Sequence, residues 1–269
     1  MMTIKNLLAI EWLKIKRYRT FWVLTGFFAL LLPLWNYGIS NGIMKFGGGG
    51  KNGLNIFSQA YAFSNVWQNI GFWASIFAVF LSILTIILTT NEYQFRTNRQ
   101  NVIDGWSRLQ FFHAKWLVVI ALSVLTTLYV FVAGTVFGAL YGSFSSFPGH
   151  IEYLFFVLVL SLNYYGFAML LSLFFKRSGI TIGIFFLYFM ILESLIGKYI
   201  NWQTDSYAGN FMPLQSSDEL LPFPIIDMAK TMMGQSSEAP SSTTYVLVSL
   251  AWVAVYYFIG KQKLLRSDW

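Results

Sequence analysis

Charged side chains are scarce in this sequence, and those best placed for chemistry lie together in residues 91–116, NEYQFRTNRQNVIDGWSRLQFFHAKW. The chain has 18 basic and 11 acidic residues, and six of them fall in this stretch: Glu92, Arg96, Arg99, Asp104, Arg108 and Lys115. Arginine side chains are frequent anchors of protein interfaces, so the chemistry expected here is recognition of a partner. Glu92 could be a solvated helix end, but we predict that it forms a salt bridge.

The sequence lacks the residue sets that enzymes use to break bonds. It has no cysteine, which excludes disulfides, cysteine-ligated metal and thiol catalysis. His113 and His150 are its only histidines, and we expect structural roles for both. A membrane protease or phosphotransferase would need paired His/Glu ligands, a Ser–His pair at membrane depth or clustered aspartates, and none is evident. We therefore expect no catalytic residue, no metal site and no cofactor in this chain.

The elements that must position the charged stretch are apolar helices. Hydrophobic residues make up 56% of the chain and charged residues 11%, against roughly 25% charged in a soluble domain. Six apolar runs approach the length of about 20 residues that crosses a bilayer: 21–37, 66–90, 116–141, 151–175, 180–196 and 245–260. Backbone groups in hydrocarbon must be satisfied internally, and the runs lack the alternation of a barrel. We predict an all-α polytopic membrane protein with one transmembrane domain, residues 1–269, whose first span is retained.

The basic residues divide unequally between the two sides of such a bundle. With six spans, both termini, the loop 91–115 and the turn after the fourth run share one side. That side holds most of the basic residues: Lys5, Lys14, Lys16, Arg17, Arg19, Arg96, Arg99, Arg108, Lys115, Lys176, Arg177, Lys261, Lys263 and Arg266. An excess of Lys and Arg marks the cytoplasmic side. The net charge of +7 is therefore a topology signal, and we expect no nucleic-acid partner.

Residues 1–20 have the pattern of an amphipathic helix that lies in the cytoplasmic membrane interface. Its apolar stripe consists of Ile4, Leu7, Leu8, Trp12 and Ile15. Glu11 falls on that stripe, so we expect a basic partner, with Arg96, Arg99 and Arg108 as candidates.

The loop itself predicts a short helix at residues 97–103, a turn at Asp104-Gly105, and a second helix from Ser107 into the third span. Thr97 and Ser107 each precede a Gln by three residues, which is the pattern of a capping box. One face of the short helix is expected to be exposed (Arg96, Arg99, Gln100 and Asn101). The other is expected to pack on the membrane domain (Phe95, Val102, Ile103 and Trp106).

On the other side, the sequence predicts loops rather than a nucleotide site. KFGGGGKNG (45–53) is not a phosphate-binding loop, because Asn52 follows Lys51. The loop 201–244 predicts a capping box from Ser216 to Glu219 and a second short helix from Pro224 to Gly234. These helices could dip into the membrane or pack on the bundle.

A few polar and aromatic residues of the spans could line a pathway. Glu193 lies near the outer end of the fifth span, where pairing with Lys198 is the favoured interpretation. Trp67, Trp73 and Asn163 are further candidates, although interfacial aromatic belts explain most Trp residues without any function.

Two segments together resemble the membrane subunit of a type-2 ATP-binding-cassette (ABC-2) exporter: IEWLKIKRYRTFW before the first span, and the loop after the second. The family pattern is an acidic residue leaving the second span, Gly-Thr, a short helix, Pro-x-Ser-Arg or similar, and a Lys entering the third span. It is matched by Glu92, Thr97, Ser107, Arg108 and Lys115. Arg96 stands where Gly is usual, and Gly105-Trp106 where Pro is common.

The resemblance implies a permease subunit of the bacterial cytoplasmic (inner) membrane that couples ATP hydrolysis by a separate ATPase to export. The loop helix would be its coupling helix, with contacts from Glu92, Arg96, Thr97, Arg99, Gln100, Ile103, Trp106, Ser107 and Arg108. The amino-terminal helix would be the connecting helix, with Glu11, Lys14 and Arg17, and the helices before the last span would be re-entrant. Glu92 would form its salt bridge in a cytoplasmic gate. Implied partners are two ATPase copies that bind ATP and Mg²⁺, a second or paralogous permease, and membrane lipids.

An ion-coupled secondary transporter is the main alternative. It would call for ionisable groups in the middle of the spans, which are nearly free of them. An adjacent gene for a soluble chain with an intact phosphate-binding loop would favour the ABC-2 hypothesis. The sequence does not indicate the substrate, for which lipids, hydrophobic peptides, antibiotics and ions are open.

Overall fold

The computed structural model describes residues 4–41, 61–103, 105–142, 147–223 and 240–266, and within these ranges it contains helices and no strand. In chain order the helices are α1 (Ile4–Ile15), α2 (Arg19–Ser40), α3 (Val66–Gln94), α4 (Thr97–Ile103), α5 (Arg108–Tyr141), α6 (Glu152–Phe175), α7 (Ser178–Leu187), α8 (Glu193–Thr204), α9 (Gln215–Asp218) and α10 (Ser242–Arg266). Asp104, the glycine-rich loop 45–53 and the helix predicted at 224–234 lie outside the described residues.

Six of the described helical segments are long and apolar enough to cross a membrane, which confirms the predicted all-α polytopic fold. They are α2, α3, α5, α6, α10 and the continuous segment Ser178–Thr204, in which a π-helical turn (Tyr188–Leu192) joins α7 to α8. Every predicted run lies inside or closely overlaps one of these helices. The helices are mostly longer than the runs, because polar residues at their ends continue the same helix.

The helix α6 lies at the centre of the bundle and packs against α3, α5 and α10. The packing between α3 and α5 depends on small residues opposite large rings. A Cβ atom added at Gly134 would lie 2.6 Å from the ring of Trp67, and one at Gly138 would lie 2.6 Å from the ring of Phe63. Gly134 thus allows α5 to approach α3 closely, and Gly138 allows it to approach the turn that precedes α3.

The amino-terminal helix α1 turns a narrower face to the bundle than predicted. Leu7, Glu11 and Ile15 are buried, at the i, i+4 and i+8 positions of one line along the helix. Leu8 and Trp12, which were predicted to share this face, are exposed. The buried line brings Glu11 to the ends of α3 and α5.

The predicted basic segments gather at one end of the bundle. The guanidinium of Arg108 donates to the carbonyl of Leu265, 2.9 Å away, which joins the start of α5 to the end of α10. Lys176 lies over the ring of Tyr93 and Lys263 over that of Phe174, at 5.3 and 5.1 Å from the ring centres. The loop after α3, the turn before α7 and the carboxyl-terminal segment therefore share one end, as the charge distribution predicted.

Candidate functional site

Four charged side chains form a compact cluster at the basic end of the bundle, here called the charged cluster: Glu11, Lys14, Glu92 and Lys115. The ammonium of Lys115 lies 2.7 Å from Oε2 of Glu11 and 2.7 Å from Oε1 of Glu92. Lys14 approaches the same two carboxylates at 3.3 and 3.0 Å. The two negative and two positive charges balance, so burying them together leaves no charge uncompensated.

Most of this cluster is withdrawn from solvent. The side chains of Lys115, Glu11 and Glu92 are 4%, 4% and 6% exposed, whereas that of Lys14 is 33% exposed. Removing one partner of such a buried ion pair strongly destabilises the folded protein, because the remaining charge stays buried and unpaired. The cluster therefore fixes α1 against the ends of α3 and α5.

The second carboxylate oxygen of Glu92 connects the cluster to α4. Oε2 accepts hydrogen bonds from the hydroxyl of Thr97 at 3.0 Å and from the side-chain amide of Asn101 at 3.2 Å. One carboxylate on α3 thus binds α1, α5 and α4 at the same time. Hydrogen bonds to an ionised carboxylate are stronger than neutral ones, so α4 has a firm attachment.

The structure confirms two pairing predictions and corrects one partner. Glu92 forms salt bridges and is not a solvated helix end. Glu11 is paired, but with Lys115 and Lys14 rather than with Arg96, Arg99 or Arg108. Arg96 and Arg99 are exposed, and Arg108 is bound to α10. The signal for Lys115 was its place in the apolar stretch FFHAKWL, where a lone lysine needs an acidic partner.

The loop helix α4 spans the predicted residues, Thr97 to Ile103, but Thr97 does not cap it. The Thr97 hydroxyl donates to Glu92, and the backbone amides of Arg99 and Gln100 donate to the carbonyl of Arg96. Arg96 has φ +57°, a left-handed conformation that side chains rarely adopt. Glycine would adopt this conformation without strain.

The predicted inner face of α4 is wrong, whereas most of its predicted outer face is confirmed. Asn98 and Asn101 are buried, although Asn101 was expected outside, because an amide is needed to hydrogen-bond Glu92. Phe95, Val102 and Ile103 were expected to pack on the bundle, yet they are 68%, 41% and 77% exposed. Arg96, Arg99 and Gln100 are exposed as predicted. The exposed surface of α4 therefore combines arginine with apolar side chains.

The turn after α4 agrees with prediction. The Ser107 hydroxyl accepts from the Gln110 amide at 3.2 Å, and the Gln110 side chain accepts from the Ser107 amide at 2.8 Å, which is the predicted capping box. Trp106 is buried, with Lys14 5.6 Å from its ring centre. Arg17 is exposed beyond the end of α1.

The candidate pathway residues are buried among helices of this chain. The ring of Trp67 stacks on Phe131, Trp73 packs against Trp35, and the amide of Asn163 donates to the carbonyl of Pro213 at 2.7 Å. These contacts give each residue a structural role, and a role in a pathway stays a prediction.

Glu193 binds backbone groups rather than Lys198. Its Oε1 accepts from the amides of Leu214 and Gln215, at 2.6 and 3.0 Å, at the start of α9. The capping box predicted from Ser216 to Glu219 is wrong, because the N-cap residue is Leu214, two residues earlier, and the amides of Leu214 and Gln215 donate to Glu193. Sequence reasoning could not find this contact because it joins distant segments.

No group of metal-ligating side chains that could hold an ion is found in the described part of the chain. His113 contacts the hydroxyl of Tyr257 at 2.9 Å, in a structural setting as expected.

A protein-family model described as "ABC-2 family transporter protein" matches residues 7–192. The match spans well over half of the 269 residues and includes the charged cluster and all of α4. No curated protein matches the chain.

Proposed function

Since the chain belongs to the ABC-2 family of transporter proteins, and is a multi-pass membrane permease of the ABC type, we propose that it couples ATP hydrolysis by a separate ATPase to export of a substrate. In this proposal the chain carries no ATP chemistry, and ATP and Mg²⁺ bind the partner. The basic end of the bundle lies on the cytoplasmic side of the bacterial inner membrane, where a soluble ATPase can bind it.

The observation that carries the proposal is the attachment of α4 through Glu92. A helix that transmits movement must be held firmly on one side and exposed on the other. The buried side of α4 is bound by Glu92, which is itself paired with Lys14 and Lys115. Displacement of α4 by a partner would therefore pull on α1, α3 and α5 together, and these helices would move as one unit.

The exposed side of α4 has the composition of a contact surface. Arg96, Arg99 and Gln100 supply polar groups, and Ile103 and Phe95 supply apolar area that the described part of the chain leaves uncovered. Interfaces concentrate their binding energy in a few arginine, aromatic and well-packed apolar residues. We place Arg99, Gln100 and Ile103 near the contact centre, with Phe95 beside them.

The proposed assembly contains two ATPase copies and two permeases. A six-span chain is half of a transport unit in this proposal, so the second half is another copy or a paralogous permease. The described residues show wide apolar faces on the spans, including Leu30 and Leu34 of α2, which a membrane or a second permease would cover.

The test is purification of the tagged chain from its native membrane in mild detergent. We expect a soluble chain with a phosphate-binding loop to co-purify and the complex to hydrolyse ATP. An Ile103→Asp variant of the same tagged chain tests the contact surface. Less of the ATPase should co-purify with it, and its thermal stability should be unchanged. Absence of any such ATPase from the wild-type preparation, together with uptake or efflux driven by an ion gradient, would establish the secondary-transporter alternative instead.

A further inference from the structure

A cavity of about 700 Å³ opens at the basic end of the bundle, between the junction of α3 with α4 and the junction of α6 with α7. Its volume is within the range of small-molecule sites. One wall comes from Tyr93, Gln94, Arg96, Asn98 and Arg99, and the other from residues 175–180. It is separate from the charged cluster, none of whose four members lines it.

Four cationic side chains line this cavity: Arg96, Arg99, Lys176 and Arg177. No acidic side chain is among the lining residues, and none of the four lies within ion-pair distance of a carboxylate in the described part of the chain. Glu92, which lies shortly before Arg96 in the sequence, is paired within the charged cluster. Four positive charges around one concave space favour an anion as its occupant.

The backbone adds to this preference. The helix α7 begins at Ser178, and its N-cap residue, Arg177, makes no side-chain capping bond. The first amides of a helix lack acceptors within the helix and attract negative charge. Ser178, Gly179 and Ile180 line the cavity, and a Cβ atom at Gly179 would meet no atom within 4 Å. The cavity is therefore open at the start of α7.

The cavity wall also has an apolar part. Phe175 and Ile180 are 40% and 49% exposed, and the segment Ser178–Thr204 has the smallest buried share among the spans. A free anion would gain nothing from these side chains. A molecule with an anionic head and hydrocarbon chains matches both parts of the wall at once.

We propose that this cavity binds the phosphate headgroup of an anionic membrane lipid through Arg96, Arg99, Lys176 and Arg177, with the acyl chains along Phe175 and Ile180. Basic pockets between spans on the cytoplasmic side are suited to such headgroups. The bound lipid would contact α4 and the start of α7, and would thus connect lipid composition to the position of α4.

The experiment measures lipid binding to the purified full-length chain by native mass spectrometry. The probes are dioleoyl phosphatidylglycerol, dioleoyl phosphatidylcholine and inorganic phosphate. The cavity variant is Lys176→Ala/Arg177→Ala, because Arg96 and Arg99 are also part of the proposed ATPase contact. The matched control is Lys261→Ala/Arg266→Ala, which removes the same two charge types from the same end but outside the cavity. Gly179→Phe adds a large side chain at the cavity wall without changing charge, and thermal unfolding checks that each variant is folded.

We expect phosphatidylglycerol to bind wild type at least about 25-fold more tightly than phosphatidylcholine, which is the product of two fivefold contributions. The cavity variant should lose most of that preference, since each Lys or Arg near an anionic lipid strengthens binding about fivefold. Gly179→Phe should lose it as well, and the control should keep it.

Four results would overturn the proposal. They are equal binding of the two lipids by wild type, an equal loss in the control variant, inorganic phosphate binding as tightly as phosphatidylglycerol, and a cavity variant that retains lipid binding but loses the ATPase. The third would identify a free-anion site and the fourth a contact with an acidic segment of the partner. If the cavity variant does not fold, Gly179→Phe and the wild-type comparison of the two lipids decide the question.

Discussion

Lys115 and Glu92 form a buried ion pair, 2.7 Å between Nζ and Oε1, that closes the loop between α3 and α5. The loop helix α4 lies within that closed loop, and its Asn101 contacts the other oxygen of the same carboxylate. Buried contacts with the membrane domain therefore fix the position of α4, while its outer surface stays exposed for a partner.

The first prediction concerns Lys115. Lys115→Met leaves Glu11 and Glu92 facing each other without their buried cation, and removing one partner of a buried pair typically costs about 3–5 kcal/mol. We expect a marked fall in the midpoint of thermal unfolding in detergent. Lys14→Met is the control, and its loss should be smaller because that side chain is one-third exposed. An equal effect of the two substitutions would contradict the central role of Lys115.

The second prediction concerns the outer surface of α4. Reversing two charges in Arg96→Glu/Arg99→Glu should release the ATPase in a detergent pull-down, because the exposed arginines are proposed to anchor it. The thermal stability of the permease should hardly change, since neither arginine belongs to the charged cluster. Lys261→Glu/Arg266→Glu is the control with the same charge reversal elsewhere at that end. Wild-type ATPase retention and transport by the α4 variant would exclude α4 as the coupling element.

The third prediction concerns the hydroxyl of Thr97. If its hydroxyl serves Glu92, as the 3.0 Å contact indicates, Thr97→Ser should be nearly neutral and Thr97→Val should lose about 1.5 kcal/mol of local stability, the lower end for a hydrogen bond to a charged group. Hydrogen exchange of the α4 amides is the measurement. Equal protection of α4 in the Val variant and in wild type would show that this hydrogen bond does not hold the helix.

The fourth prediction is a pH dependence at the opposite end. Burial raises the pKa of Asp218 to about 8; nearby Glu193 and Glu219 act in the same direction, and the hydrogen bond from Tyr164 opposes them. Between pH about 4 and about 8, the folded protein keeps a proton that the unfolded chain has lost. The free energy of unfolding should therefore fall as pH rises through that window.

Asp218→Asn tests this assignment, because it removes the titrating group and keeps the shape of the side chain. The decline in thermal stability from about pH 5 to about pH 8 should become shallower. Asp205→Asn removes an exposed carboxylate that is not among the groups acting on Asp218, and it is the matched control. An unchanged slope in the Asn variant would assign the pH dependence to another group.

The fifth prediction concerns orientation. In a chain without native cysteine, a cysteine at Ile103 should be shielded from impermeant thiol reagents in intact cells, and one at Asp205 should react. Both positions are exposed. Asn101, although close to Ile103, is buried and would give no clear result. The reverse labelling pattern would place α4 outside the cytoplasm and remove the basis of the coupling proposal.

Local signals predicted the fold and the limits of α4 well. The Ser107–Gln110 capping box and the Gly105 turn need only neighbouring residues, so the sequence contains them completely. The inward face of α4 was predicted from its apolar side chains, and this failed because the buried carboxylate of Glu92 is bound by Thr97 and Asn101. The contact from Glu193 to Leu214 likewise joins segments whose proximity only the packed bundle reveals.

The charged cluster also has a consequence for biosynthesis. Its residues lie at positions 11, 14, 92 and 115. During synthesis, Glu11, Lys14 and Glu92 therefore leave the ribosome before Lys115. The charged cluster cannot form until the start of the third span has been synthesised and inserted. The loop helix then acquires its fixed position late, so under the proposed function an unfinished permease would offer an ATPase no ordered binding surface.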